Sequence, residues 1–136
     1  MSWQTSLVKL ADYEVEQLRK RLAAVLERRA EAELKLAMLH AEAEAETRRL
    51  ATDADAGWYR LGYLEGWRGR RDQVMVELEG LASEEAGARD ALAHAFEELK
   101  KYEQIAENAQ MRARATEAKL ETAAMDELGG RRLAIK

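Results

Sequence analysis

The chain has 136 residues, of which 35% are charged, with a net charge of −4, no proline and no cysteine. Lacking cysteine, it has no disulfide or thiolate metal site, and a reducing compartment is expected. Its mildly acidic, locally mixed charge argues against a dedicated nucleic-acid binder, which carries a basic face. Ala, Leu, Glu and Arg dominate, the composition of a long helix or coiled coil within one folding unit. Hydrophobic residues make up 47% of the chain, but much of this is alanine, and aromatic residues are only 6% of the chain. A thin apolar seam between helices is therefore expected rather than a thick core.

The opening "MSWQTSLVKLADYEVE" has no apolar h-region, so no secretory signal is expected, and no apolar run is long enough to span a bilayer. From there a heptad runs without a slip. Val8, Val15, Leu22, Arg29, Leu36, Ala43 and Leu50 occupy one position, and Ala11, Leu18, Val25, Ala32 and Leu39 the other. Alternating steps of three and four put them on one helical stripe. The intervening charges, as in "EQLRKR" and "LERRAEAE", read as a solvated face.

The strong break lies at "LATDADAGW", residues 50–58, where Asp53, Asp55 and Gly57 are weak helix formers and good capping residues. The heptad then resumes. Leu64, Arg71, Leu78, Glu85, Leu92, Leu99, Ala106, Ala113 and Leu120 share one position. Trp67, Val74, Leu81, Ala88, Ala95, Tyr102, Ala109 and Thr116 share the other. A left-handed supercoil is expected from the unbroken phase. Gly129 and Gly130 are expected to stop this helix and leave the basic tail "RRLAIK".

The pattern predicts an all-α fold, a long two-helix antiparallel coiled-coil hairpin whose second helix is longer than the first. Residues 1–136 form a single hairpin, with helix 1 over about 4–54, a turn at about 55–58, helix 2 over about 59–128 and a tail over 129–136. The first helix, at 1.5 Å per residue, is about 75 Å long. With a turn near Ala56, residue i faces about residue 112 − i. Val8 then lies near Gln104, Leu22 near Asp90 and Leu36 near Val76. Residues from about 110 onward have no partner in the chain, and their stripe of small residues (Ala109, Ala113, Thr116, Leu120, Ala123) suits close approach by another helix or a protein wall. Arg29 and Glu85 are charged residues at seam positions within about a turn of each other. They are expected to pair across the hairpin and help fix its register.

Nothing in the sequence points to catalysis. His40 and His94 are isolated and form no His-x-x-x-His or Glu-x-x-His set, so no metal site is expected. "GYLEGWRGRR" lacks the ending and preceding strand of a phosphate-binding loop. A two-helix hairpin has no cavity that would shift pKa values or exclude water. The expectation is a binding protein, not an enzyme, with no cofactor.

"GWYRLGYLEGWRGRR", residues 57–71, concentrates glycines and aromatics. Trp67 falls on the seam beside Leu64, while Tyr59, Tyr63 and Trp67 follow at four-residue spacing. Gly62, Gly66 and Gly69 face outward. One reading is structural: bulky residues close the end of the hairpin and glycines loosen the turn. It leaves the outward glycines unexplained, since each costs about 1 kcal/mol relative to alanine in a helix. The other reading is a partner-docking tip, because aromatics and Arg are enriched at interface hot spots. The spacing of Gly62 and Gly66 is weak evidence for dimerisation outside a membrane. "RGRR" could touch phosphate or an anionic membrane surface, but the patch is too small to suggest nucleic-acid binding.

The second helix ends in "AFEELKKYEQIAENAQMRARATEAKLETAAMDELGGRR", which resembles the C-terminal region of the flagellar FliJ proteins. There an acid-and-base-rich helix closes with a Met-Asp-Glu element and basic residues, here Met125, Asp126 and Glu127 followed by Arg131 and Arg132. The opening "SLVKLADYEVEQLRKRLA" is similar to the start of the same family, where a Leu-x-x-Leu step leads into the first helix. The resemblance covers nearly the whole chain, and the glycine- and tryptophan-rich tip departs from the general family pattern.

The resemblance implies a cytoplasmic component of the flagellar type III protein export apparatus, peripherally associated with the inner face of the cell membrane at the flagellar base. It implies a central stalk and adaptor whose terminal end enters the hexameric export ATPase, with its regulator, and whose hairpin end reaches the membrane export gate. It also implies escort of export chaperones. Carried onto this chain, the gate-facing tip comprises Trp58, Tyr59, Gly62, Tyr63, Gly66 and Trp67. The ring-facing end comprises Leu7, Val8, Ala11, Glu103, Ala106, Ala113 and Leu120. The chain alone is expected to be a monomer. The competing reading is a self-associating structural coiled-coil adaptor unrelated to flagella, which predicts a stable dimer.

Overall fold

In the computed structural model, residues 2–53 and 57–135 are described, the side chains of 134 and 135 excepted. They form two helices and no strand: α1, Trp3–Ala51, and α2, Gly57–Ile135. The fold is the all-α helical hairpin expected, with the longer helix second. Of the expected turn, residues 55 and 56 lie outside the described residues, as does Ala54.

Local chemistry sets the helix ends. Ser2 caps α1: its hydroxyl accepts the Thr5 backbone N–H at 3.2 Å, and its carbonyl accepts that of Ser6 at 3.2 Å. α1 closes at Ala51, three residues before the expected end. There the backbone N–H of Thr52 turns back to the Arg49 carbonyl at 3.2 Å, and the Thr52 hydroxyl donates to the same carbonyl at 2.9 Å. This tight last turn satisfies a terminal carbonyl twice. α2 begins at Gly57 rather than near 59. It also runs on through Gly129 and Gly130 to Ile135, where the sequence reading stops it near 128. Neither glycine takes a positive φ, so neither provides the left-handed cap that would end the helix.

The chain divides into two units, Gln17–Leu92 and Met1–Glu16 with Ala93–Lys136. In the first of these, Val25, Ala32, Leu39, Val74, Leu81 and Ala88 are buried. Val25, Ala32 and Leu81 form one cluster with Leu78 packed against it. Ala32 and Ala88 are fully covered, so the helices meet at close range there. Three ion pairs fall on the register i to 112 − i: Arg28 to Glu84 at 2.9 Å, Lys35 to Glu77 at 3.8 Å, and Glu42 to Arg70 at 3.5 Å. Because α1 is basic then acidic along this stretch while α2 supplies the complement, a one-heptad slip would set like charges against each other, Lys35 against Arg70 or Glu42 against Glu77. Arg29 pairs with Glu85 as expected, at 3.1 Å.

In the other unit, Ala11, Val15, Ala95 and Leu99 are buried, flanked by the half-buried Leu7, Val8, Tyr102, Ala106 and Ala109. The seam ends there. From residue 110 to residue 133 every side chain is exposed, including the seam-phase Ala113, Thr116 and Leu120.

Candidate partner-binding surfaces

Unit 17–92 ends in the aromatic segment. Trp67 turns inward: its indole N–H donates to the Leu39 carbonyl at 2.7 Å, although that carbonyl lies within α1. A backbone carbonyl has a second lone pair, so it can accept this bond without giving up a helical one. The His40 ring packs edge-on against Trp67 at 5.6 Å, and the Arg71 guanidinium covers the indole at 5.3 Å.

Tyr63 is half-buried and stacks on Tyr59, with ring centroids 6.4 Å apart. Its hydroxyl is shielded and has no hydrogen-bond partner among the described residues. That burial raises the Tyr63 pKa above the ordinary phenol value, and the carboxylates of Glu42 and Glu46 push it in the same direction. Trp58 meets Tyr59 edge-on at 6.0 Å yet remains 83% exposed, and Leu61 is 71% exposed. Gly62 and Gly66 are exposed, and a Cβ added at either would meet nothing within 4 Å. The six residues assigned to the tip thus divide. Trp67 and Tyr63 face the opposing helix, and Trp58, Gly62 and Gly66 face outward, with Tyr59 bridging between.

A further pattern is missing from the sequence reading. Gly62, Gly66, Gly69, Gln73, Val76, Gly80, Ser83 and Gly87 follow one another by alternating four and three, and all are exposed. They lie two residues past the seam positions, on the opposite side of α2. The signal was available, because the outward glycines continue beyond residue 71 at the same period. Between the helices of this unit lies a groove with Met38, Leu39 and Val74 in it and the Lys35–Glu77 and Glu42–Arg70 pairs at its rim.

In unit 1–16 with 93–136, a second groove brings Ser2, Gln4 and Thr5 to Ala106, Ala109, Gln110 and Ala113. Of the seven residues assigned to the terminal end, Ala11 is buried and Leu7, Val8 and Ala106 are half-buried in the seam. Glu103, Ala113 and Leu120 are exposed. The large exposed apolar residues of this unit, among those described, are Trp3, Leu10 and Tyr13 on α1, and Ile105, Met111, Leu120, Met125, Leu128 and Leu133 on α2. Among the described residues no group of three or more His, Cys, Asp or Glu could hold a metal ion, and no helix is long and apolar enough to cross a membrane.

The chain is 50% identical, over 133 residues, to the flagellar FliJ protein of Caulobacter vibrioides in two strains, NA1000 / CB15N and CB 15. The match spans 98% of this chain and 96% of each relative. It belongs to the flagellar FliJ family. No family model matches the chain, and no solved structure does. FliJ membership thus rests on identity over nearly the whole chain.

Proposed function

We propose that this FliJ-family chain is a component of the flagellar type III export apparatus. It acts as a central stalk and adaptor between the hexameric export ATPase, with its regulator, and the membrane export gate, and escorts export chaperones. In this reading it catalyses no reaction and works at the cytoplasmic face of the cell membrane. The observation that carries it, beside family membership, is the exposed stretch of α2 from residue 110 to 133, which nothing covers among the described residues. In proteins most helical stability comes from packing one face of the helix, and this stretch has no such packing among the described residues. The terminal contacts are Leu7, Val8, Ala11, Glu103, Ala106, Ala113 and Leu120, and the tip contacts are Trp58, Tyr59, Gly62, Tyr63, Gly66 and Trp67.

The test is a pair of variants in a motile strain, Ala113→Glu/Leu120→Glu and Trp58→Ser. The first should abolish ATPase binding and stimulation with folding retained, and the second should impair swimming with ATPase binding retained. Full motility in both would remove the reading. The exposed Met111, Leu120, Met125, Leu128 and Leu133 favour one alternative, self-association through this stretch. Sedimentation of the free chain separates the two: the stalk reading expects a monomer, and a stable dimer supports the alternative.

A further inference from the structure

The back of α2 changes character where α1 gives out. In unit 1–16 with 93–136, the first residues of α1 meet Ala106 and Ala109, and from residue 110 to 133 every side chain of α2 is exposed. Alongside α1, the side of α2 opposite the seam is polar: His94, Glu97, Lys101, Gln104 and Asn108 occupy it, all exposed. From the next position on, the same side is uncharged and largely apolar: Met111, Ala115, Ala118, Thr122 and Met125. Each of these lies two residues past a seam position, so the stripe runs opposite the seam-phase Ala113, Thr116, Leu120 and Ala123. The charged residues between 111 and 126 (Arg112, Arg114, Glu117, Lys119, Glu121 and Asp126) all lie off both stripes. The projecting helix therefore carries two opposed uncharged faces, with charge confined to the belts between them.

A helix that packs on one neighbour carries one apolar stripe. Here a second stripe begins at the turn where α2 loses its own partner, so this stretch is built for cover on both sides. A second copy of the chain, or a flat protein surface, covers one stripe and leaves the other in water. The bore of a hexameric ring presents a wall on every side of a helix inside it. We propose that α2 is gripped on two opposite faces between residues 111 and 125, with Met111, Ala118 and Met125 forming a second contact face for the export ATPase ring. The proposal rests on the reading that this end enters the ring, and adds a face that the seam phase does not contain. The two faces differ in kind. Ala113, Thr116 and Ala123 are small and allow a close approach. Met111 and Met125, 59% and 73% exposed, are long and unbranched, and such side chains fill irregular gaps. They stand two heptads apart, about 21 Å along the helix.

The purified ATPase hexamer is titrated with the full chain and with three double variants. Met111→Gln/Met125→Gln and Ala113→Glu/Leu120→Glu should each weaken binding about tenfold or more, as apolar contact at two side chains is lost. Met111→Leu/Met125→Leu should bind within about threefold of the parent, because the swap conserves apolar volume. All four altered positions are exposed, so the helix content read by circular dichroism should match the parent in each case. Weakening in both of the first two variants supports the proposal. Weakening in only one of them overturns the two-faced grip and leaves the ring reading standing. Weakening in neither overturns the grip and removes the ring reading with it. A leucine variant that binds as weakly as the glutamine variant overturns the apolar contact assigned to the methionines.

Discussion

Arg29 donates through Nη1 to both carboxylate oxygens of Glu85, at 3.1 and 3.2 Å, from seam positions that the heptad would otherwise fill with leucine. Each partner also has a second ion pair on its own helix, Arg29 with Glu33 and Glu85 with Arg89. Its hydrogen bonds to Glu33 and then Glu85 raise the Arg29 pKa further, so it stays charged at any working pH. Replacing either residue by alanine removes the bond across the hairpin, leaves the other only its partner on its own helix, and should lower the urea midpoint. The double variant Arg29→Leu/Glu85→Leu should be at least as stable as the parent, because well-packed apolar residues commonly match a seam ion pair. A double variant less stable than both singles would show the pair to be stabilising in itself.

Trp67→Phe keeps a ring in the seam but removes the bond to the Leu39 carbonyl. The carbonyl keeps its helical partner, so the loss should be about 1 kcal/mol. Urea titration measures it, and an unchanged midpoint would mean that the indole bond is replaced by water at no cost.

Tyr63→Phe removes a shielded hydroxyl that has no partner. An unsatisfied buried group costs about 1–3 kcal/mol, so the variant should be neutral or more stable. The pH dependence has a definite sign. Because the folded state raises the Tyr63 pKa, the neutral phenol is favoured by folding. This contribution is fully present below the unfolded value near 10 and is lost as pH rises through the folded value. The parent should therefore lose more stability than Tyr63→Phe when thermal melts are taken at progressively more alkaline pH.

Gly62, Gly66, Gly69, Gly80 and Gly87 share one exposed stripe, and none would clash with an added Cβ. Each Gly→Ala change should stabilise α2 by about 0.5–1 kcal/mol. Calorimetry of Gly62→Ala/Gly66→Ala/Gly69→Ala tests this, and swimming assays of the same variant ask whether the glycines serve a partner. A more stable but non-motile variant would assign them to close backbone approach.

The Val25, Ala32 and Leu81 cluster sets the spacing of the helices. Leu81→Ala should cost about 2–4 kcal/mol through the cavity it leaves. Ala32→Leu should cost about 1–3 kcal/mol by overpacking a fully covered site. Tolerance of Ala32→Leu would mean that the helices can separate locally.

Much of the fold was legible because coiled-coil geometry is written locally. The steps of three and four that place Val25, Ala32, Leu78 and Leu81 on one stripe follow from helical pitch, and the burial pattern follows that stripe up to Ala109. The Arg29–Glu85 pair was readable for the same reason, since two charged interruptions at facing phases have few other ways to be satisfied. The candidate surfaces were less legible. The heptad put Trp67 on the seam, but spacing alone left the cover over Tyr59 and Tyr63 undecided.

By itself, then, the sequence determined two helices, their seam, their register and the last covered turn, because each depends on residue type at a fixed period. Only the tertiary structure decided how the tip aromatics are held and which of the tyrosines is covered. Trp67 is held by a carbonyl of the other helix, and Tyr63 is covered beside Glu42 and Glu46, while Trp58 finds little to cover it. Only the structure, too, showed α2 continuing through Gly129 and Gly130, since glycine weakens a helix but ends it only where the chain adopts a capping conformation.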